Sequence, residues 1–310
     1  MVFFNYVVMC LIFGTTFLSI KIGVDEGLPA FFSAGIRFFL AGVILFVFLC
    51  VKKRVHLRLL LHKEMIIMGV CLFGTFSTLY WAEQYVTSGI AAVLSATGPM
   101  MILAMQTVFY KKKGSRSAVI GCIIGLSGVA FLVLPGLSSE INIKWAAGCL
   151  AVIVGEMFFA YGTIFGKQVS SKFHSTTPFA LNAAQMIYGG LLMILLSVFT
   201  ENIHLEAFQN AAAIGSLVYL IFFGSILGHS LYYWLVARTN PVFPSTWLYI
   251  SPLIAVVIGV SFYNEYFSWW TGVGVITILI GSLLVNWETL RELLNRKNML
   301  RKGTVVTVEK

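Results

Sequence analysis

Long apolar runs alternate with short polar segments along most of the chain. Ten runs of about 18 to 24 residues occur, each long enough to cross a hydrocarbon core of about 30 Å as a helix. They lie near residues 2–20, 30–51, 65–82, 89–110, 117–134, 146–165, 178–199, 213–236, 242–263 and 269–287. They lack the polar alternation of barrel strands. The sequence therefore predicts an all-α polytopic membrane protein with ten transmembrane helices.

The composition agrees with a membrane location. Of the 310 residues, 59% are hydrophobic and only 11% are charged, and the mean hydropathy is +0.90. A soluble domain has too little interior to bury this much apolar surface. The first run starts at Val2 without a basic leader or a small-residue cleavage site, so we expect a retained span rather than a cleaved signal peptide.

The positions of the basic residues predict the orientation. The even-numbered loops and the C-terminal tail hold 18 of the 21 Lys and Arg residues, whereas the odd-numbered loops hold only Lys21 and Lys144. Cytoplasmic loops of membrane proteins carry such an excess. Both termini are therefore predicted to be cytoplasmic, with residues 288–310 as a cytoplasmic tail. The net charge of +9 then reflects loop positions, and no nucleic-acid partner is expected.

A repeat relates the two halves of the chain. At an offset of 153 residues, the stretch 80–128 matches 233–281 with nine identities in 49 positions. A composition this apolar would give roughly three or four by chance, so the rarer residues carry the argument. These are Tyr80-Trp81 with Tyr233-Trp234, Pro99 with Pro252, and Phe109-Tyr110 with Phe262-Tyr263.

Each copy is predicted to contain five spans, the first within residues 1–135 and the second within 146–287. Because five is odd, the second copy enters the membrane from the opposite side, which gives the inverted repeat found in many secondary transporters. Weaker matches extend the repeat to the first two spans of each half. They pair Lys21 with Lys167, Pro29 with Pro178, Arg37 with Gln185 and Gly42 with Gly190.

Four segments carry a family resemblance. They read IFGTTFLSIKIG, PAFFSAGIRFFLAG, GIAAVLSATGPMM and TWLYISPLIAVVIGVSFYNE. Together with the ten spans and the duplication, they resemble the EamA-type family of the drug/metabolite transporter superfamily, over about residues 3 to 287. The resemblance implies an inverted five-helix unit and a transporter, in a family that includes exporters of amino acids and other small metabolites. One departure is Lys111-Lys112, where the second half has the acidic Asn264-Glu265 typical of the family.

Two prolines are expected to interrupt helices near the bilayer midplane. Pro99 and Pro252 lie about eleven residues into their spans, and each leaves a carbonyl, that of Ser95 or Leu248, without its helical donor. Such backbone freedom is tolerated where it faces protein or a wet cavity, which is where transporter sites lie. A packing kink is the structural alternative.

Two aromatic pairs lie near opposite ends of their spans. Tyr80-Trp81 is near the outer end of the third span, and Tyr233-Trp234 is near the inner end of the eighth. Belts of Trp and Tyr mark both interfaces of ordinary membrane proteins. Two alternating gates at the mouths of a central path would also place them there.

Glu156 is the only acid near the middle of a predicted span. An ionised carboxylate at this depth is costly, so we expect it to face the bundle interior with a partner or to be protonated. Arg37 in the second span and His229 in the eighth are candidate partners. A static buried pair of Arg37 and Glu156 is the alternative to a role in transport.

The sequence predicts a substrate site at mid-depth between the two halves. Its expected residues are Glu156, Thr15, Thr16, Pro99, Tyr161, His229 and Pro252. Glu156 would bind a substrate ammonium group or carry a proton. The expected partners are a small-molecule substrate and the lipid bilayer.

Motifs for other chemistries are missing from the sequence. It contains no GxxxxGK[ST], HExxH or GxSxG motif, and Asp25 is the only aspartate. No enzymatic activity, cofactor or metal is therefore predicted. The five cysteines lie in or beside apolar runs and form no disulfide framework. Gly121 and Gly125 form a GxxxG motif that indicates either helix packing or a homodimer seam.

Three functions are compatible with these features. The leading one is a plasma-membrane secondary transporter that exports small organic metabolites such as amino acids. A nucleotide-sugar or sugar-phosphate transporter would need more basic residues inside the spans than Arg37 to hold phosphate. An intramembrane enzyme or lipid-handling protein would need polar clusters on one membrane face.

Overall fold

The computed structural model describes residues 1–86, 88–111, 115–133, 143–202, 210–262 and 269–301, and all regular structure in these ranges is helical. The helices are α1 (Val2–Asp25), α2 (Ala30–Val51), a 3₁₀ turn (Leu57–Leu61), α3 (Lys63–Ala82), α4 (Ser88–Ser95), α5 (Gly98–Tyr110), α6 (Arg116–Val133), α7 (Ile143–Lys172), α8 (Pro178–Thr200), α9 (Ala211–Tyr219), a π-helical segment (Leu220–His229), α10 (Ser230–Arg238), α11 (Val242–Ser245), α12 (Trp247–Phe262) and α13 (Trp269–Arg301).

Length and hydropathy make this bundle a polytopic membrane protein. Within the described ranges, seven helices are long and apolar enough to cross a membrane. Shorter apolar helices lie at Arg116–Phe131, Val242–Ile254 and Gly272–Glu288. The predicted all-α polytopic class is confirmed, while the number of ten spans stays a prediction. The acidic pair Asn264-Glu265 and residues 302–310 of the predicted tail lie outside the described residues.

The fourth and ninth apolar runs are each divided into two helices. Helix α4 ends at Ser95, and Pro99 lies in the first turn of α5, where its missing N–H has no intrahelical acceptor to lose. In the ninth run, Thr246 separates α11 from α12, and Pro252 lies inside α12. Both runs are therefore divided into two shorter helices, but only in the fourth run does the division lie beside the expected proline.

The eighth apolar run contains an irregularity that no proline marks. Between α9 and α10, residues Leu220–His229 form a π-helical segment. Segments of this kind are rare, and they frequently occur at functional sites. This one shifts the angular positions of all the side chains that follow it in α10.

Glycines bring two helix pairs into backbone contact. On α6, a Cβ atom at Gly121 would lie 2.6 Å from the backbone nitrogen of Val285 in α13. On α2, a Cβ atom at Gly35 would lie 3.1 Å from the carbonyl oxygen of Gly190 in α8. Only hydrogen fits at such contacts. The GxxxG face of α6 is thus occupied by α13 of the same chain, and a homodimer would need another surface.

The close contact between α6 and α13 predicts that alanine substitution has different effects on stability at two glycines. A Cβ atom at Gly281 would lie 2.8 Å from the carbonyl oxygen of Gly121, whereas one at Gly215 would meet nothing within 4 Å. Gly281→Ala should lower stability by about 1–3 kcal/mol because the two backbones must separate. Gly215→Ala is the matched control, since both changes have the same effect on helix propensity. Thermal unfolding in detergent measures both, and equal midpoints would contradict the seam.

Candidate functional site

A cavity of about 60 Å³ lies between the helices, with room for a few water molecules. We call it the central cavity. Its walls are mainly apolar and aromatic, and they include the charged residues Arg37 and Glu156. The other lining residues are Phe13, Thr16, Phe17, Ile20, Cys71, Leu72, Thr75, Phe76, Leu79, Ser95, Phe158, Phe159, Gly162, His229, Tyr232, Tyr233, Trp247 and Leu248.

Arg37 is a buried cation with neutral hydrogen-bond partners. It is 1% exposed, its Nε donates to Ser225 Oγ at 2.8 Å, and its Nη1 donates to the Tyr80 hydroxyl at 3.2 Å. The guanidinium carbon lies 4.6 Å from the ring centroid of Phe38 and 5.5 Å from that of Phe76. Among the described residues, the ion pairs do not include Arg37. Its charge can therefore be balanced by an anion in the cavity.

The π-helical segment shapes the pocket for Arg37. Ser225, which accepts the hydrogen bond from Nε, lies in this segment. A Cβ atom at Gly224 would be 2.9 Å from Arg37 Nη2, so the glycine leaves room for the guanidinium. The sequence did not indicate Ser225, because a single serine in an apolar run carries no recognisable pattern.

Glu156 lies near the middle of α7 and is 6% exposed. Ser95, the last residue of α4, is hydrogen-bonded to it, and Oε2 has no hydrogen-bond partner among the described residues. A Cβ atom at Gly98 would lie 2.5 Å from Oε2. The carboxyl group therefore lies beside the first residue of α5, where the helix dipole favours negative charge.

The suggested static pair of Arg37 and Glu156 is not formed in this structure. The guanidinium is held by Ser225 and Tyr80, while Glu156 is bonded to Ser95. Both side chains nevertheless line the same cavity. The structure thus places a guanidinium and a separate carboxyl group at one space.

Only some of the remaining predicted site residues line the central cavity. Thr16 and His229 line the central cavity. Pro99 and Pro252 do not line it. Ser95 and Leu248, the two residues whose carbonyls lose a helical donor because of the prolines, do line it. Two expected residues lie elsewhere. Thr15 is hydrogen-bonded to Tyr219 at 2.5 Å, and Tyr161 is 41% exposed in a separate apolar groove.

His229 lies among aromatic rings rather than beside Glu156. Its ring centroid is 5.2 Å from that of Phe13, 5.3 Å from that of Phe38 and 5.4 Å from that of Phe76. These edge-on contacts are typical of buried aromatic packing. His229 therefore contributes to the same aromatic wall that contacts Arg37.

In each of the two aromatic pairs, the tyrosine is hydrogen-bonded to a buried polar residue. Tyr80 is 1% exposed and bonds Arg37, and Tyr233 lines the cavity and is hydrogen-bonded to Gln185. The tryptophans are half-buried. Trp81 packs on Tyr85, and Trp234 lies under Arg238.

Other polar groups around the cavity have no clear signal in the sequence. The hydroxyl groups of Tyr232 and Thr163 are 2.8 Å apart. Asn182 Nδ2 donates to Ser230 Oγ at 3.1 Å, and Gln185 Nε2 donates to Asn182 Oδ1 at 2.8 Å. This buried chain of hydrogen bonds links α8 to α10, and Gln185 is also hydrogen-bonded to Tyr233 in the cavity wall.

Comparison with known proteins shows a consistent family. A model of the EamA-like transporter family matches residues 2–134 and 146–287. The chain is 30% identical over 277 residues to the uncharacterized inner membrane transporter YedA of Escherichia coli (strain K12), covering 87% of this chain and 86% of YedA. It is 25% identical over 283 residues to Protein PagO of Salmonella typhimurium, covering 90% of each.

A solved structure shows the same fold at greater distance. A crystal structure aligns with a TM-score of 0.74 and 14% sequence identity, covering 92% of this chain and 96% of the other. The family matches span both halves of the chain, and the relatives are similar over nearly their full lengths. The resemblance seen in the sequence is confirmed: the chain belongs to the EamA-like transporter family and is a membrane transporter rather than an enzyme.

Proposed function

We propose that the chain is a secondary transporter of the plasma membrane that exports small organic metabolites, with amino acids or related zwitterions as the substrate class. One observation carries this proposal: Arg37 and Glu156 line one cavity without pairing with each other. YedA is named an inner membrane transporter, which supports the location.

The chemistry of the cavity favours a substrate with two charged ends. Arg37 offers guanidinium donors to a carboxylate, and Glu156 offers an oxygen without a hydrogen-bond partner to an ammonium group. Phe76 and Trp247 in the wall provide apolar surface for the substrate body. Among the described residues, the cavity lining includes no second Lys or Arg, which disfavours a sugar phosphate.

Contacts between helices support two inverted repeats, within residues 1–135 and 146–287. Arg37 of α2 bonds Tyr80 of α3, and their counterparts at corresponding positions, Gln185 of α8 and Tyr233 of α10, are also hydrogen-bonded. The helix contacts are related in the same way. In one direction, α3 contacts α7 and α8, which correspond to α1 and α2 in the proposed repeat. In the other direction, α10 contacts α1, and the π-helical segment before it contacts α2. The two family matches, 2–134 and 146–287, have similar limits.

Alternating access agrees with the shape of the site. The cavity is too small for a metabolite in this conformation, so its walls must move to admit one. Tyr80 and Tyr233 lie towards opposite ends of the path in the proposed topology, and the divided helices α4–α5 and α11–α12 supply walls that are not continuous rods.

The function is tested by identifying the substrate. Metabolites should be measured in the medium and in the cells with and without the gene, and the best candidate should then be offered to purified protein in liposomes. Accumulation of a zwitterion in the medium only when the gene is present supports the proposal. Transport restricted to phosphorylated or uncharged compounds would contradict it.

The proposed topology, with both termini cytoplasmic, predicts opposite labelling at the two ends of α2. Glu26 precedes α2 and Lys52 follows it, and both are exposed. Single cysteines at Glu26 and at Lys52, with the five native cysteines replaced, should react from the outside and the inside respectively. An impermeant thiol reagent added to intact cells makes the measurement. Equal reaction at both positions would rule out this orientation.

Glu156→Gln should weaken transport of a substrate that carries an ammonium group. The change removes a charge-assisted hydrogen bond of about 1.5–3 kcal/mol, which corresponds to roughly 10- to 150-fold in apparent affinity. If Glu156 instead carries a proton, the change should abolish pH-driven transport and leave counterflow exchange intact. A folded Glu156→Gln protein with normal transport under both conditions would remove Glu156 from the site.

Arg37→Gln should weaken binding of an amino acid more than binding of the amine that lacks its carboxylate. An amino acid should lose affinity about 10-fold or more because its carboxylate loses the guanidinium, whereas the matching decarboxylated amine should be affected little. Competition by the two compounds in liposomes measures the difference. An equal loss for both would indicate a structural role for Arg37.

A further inference from the structure

Glu83 is another buried acid, which the proposed binding site does not use. It directly follows α3, its backbone N–H donates to the carbonyl of Leu79 at 3.0 Å, and it is 1% exposed. Leu79 lines the central cavity, so Glu83 lies one helical turn beyond the cavity wall. In the proposed topology this is the outer end.

Neither carboxyl oxygen of Glu83 has a hydrogen-bond partner in the part of the chain that the structure describes. The ion pairs found there do not include Glu83. A buried carboxylate without partners is strongly unfavourable, and a carboxyl group in such a place takes up a proton. Geometry alone therefore favours the neutral acid while the side chain is buried as it is here.

The charged groups around Glu83 are each engaged elsewhere. Lys21 and Asp25 of α1 act on it electrostatically, but they pair with each other at 2.6 Å. Arg37 of α2 also acts on it, but the hydrogen bonds of its Nε and Nη1 go to Ser225 and Tyr80 rather than to Glu83. On α7, Lys144 lies over the ring of Tyr85 at 5.9 Å.

We propose that Glu83 is a proton-binding site that holds a proton while the outer end of the central cavity is closed and releases it when that end opens. On opening, water reaches the carboxyl group, its O–H bond breaks, and the proton passes to water, leaving a hydrated carboxylate. On closing, the reverse transfer occurs. The proposal rests on the proposed function only in requiring that this end opens and closes.

The direction of the pH effect follows from the pKa. Burial raises the pKa of Glu83 to about 8, although Lys21 and Arg37 oppose the rise. A hydrated glutamate has a pKa of about 4.3. Between these values the closed state binds one more proton than the open state, so the closed state is favoured at low pH. The ratio of open to closed protein should then rise up to about tenfold per pH unit and level off above about pH 8.

Cysteine labelling tests this dependence in the full chain. Ile20 lines the cavity and is 3% exposed, so Ile20→Cys in a cysteine-free background reports opening. Labelling rates should be measured from about pH 5 to pH 8 in lipid nanodiscs, with and without Glu83→Gln. The ratio of the two rates cancels the ionisation of the thiol itself. We expect this ratio to rise steeply with pH, and a constant ratio would overturn the proposal.

Infrared spectroscopy tests the proton directly. The carbonyl stretch of a protonated carboxylic acid should decrease as pH is raised towards 8 in the wild-type protein. The change should be retained in Glu156→Gln, which removes the buried acid at the cavity, and it should be missing when Glu83→Gln is added to that variant. A pH-dependent band that survives in the double variant would overturn the assignment. Neither measurement uses a substrate. Their outcome therefore does not depend on whether the proposed transport function is correct.

Discussion

Hydrocarbon offers no hydrogen bonds, and this constraint organises the whole molecule. Every backbone group at membrane depth must be satisfied by the protein, so continuous helices face the lipid and interruptions must face protein. The described structure has three such interruptions: before Pro99, at the π-helical segment, and between α11 and α12. All three border the central cavity, through Ser95, His229 and Leu248.

The same constraint explains what could be predicted from the sequence. Hydropathy identifies helices because lipid-facing residues must be apolar, and proline identifies breaks because it lacks an N–H. These two signals were enough for the fold class and for the divided fourth run, whereas the ninth run is divided at Thr246 and not at Pro252. They also indicated the depth of Glu156, which lines the cavity.

Hydropathy and proline positions do not show in which direction a side chain points around its helix, or which residues are buried by the packing of other helices. Thr15 and Thr16 are neighbours in the sequence, but only Thr16 reaches the cavity, because successive helical residues point about 100° apart. The π-helical segment has no proline or charge to mark it, so Ser225 was not anticipated. Glu83 follows a span and resembles an ordinary surface acid in the sequence, and only the packing of other helices against it makes it buried.

The glycine contacts have a mechanical consequence. Each seam joins one helix of the first half to one of the second, α2 to α8 and α6 to α13, with backbone against backbone. In the proposed transport cycle, the two halves are therefore expected to rock against each other with little change in their separation at the two seams. Such rocking would widen one end of the central cavity while narrowing the other. Simultaneous opening of both ends would have to separate these backbone contacts, so it is opposed by the seams as well as by side-chain gates.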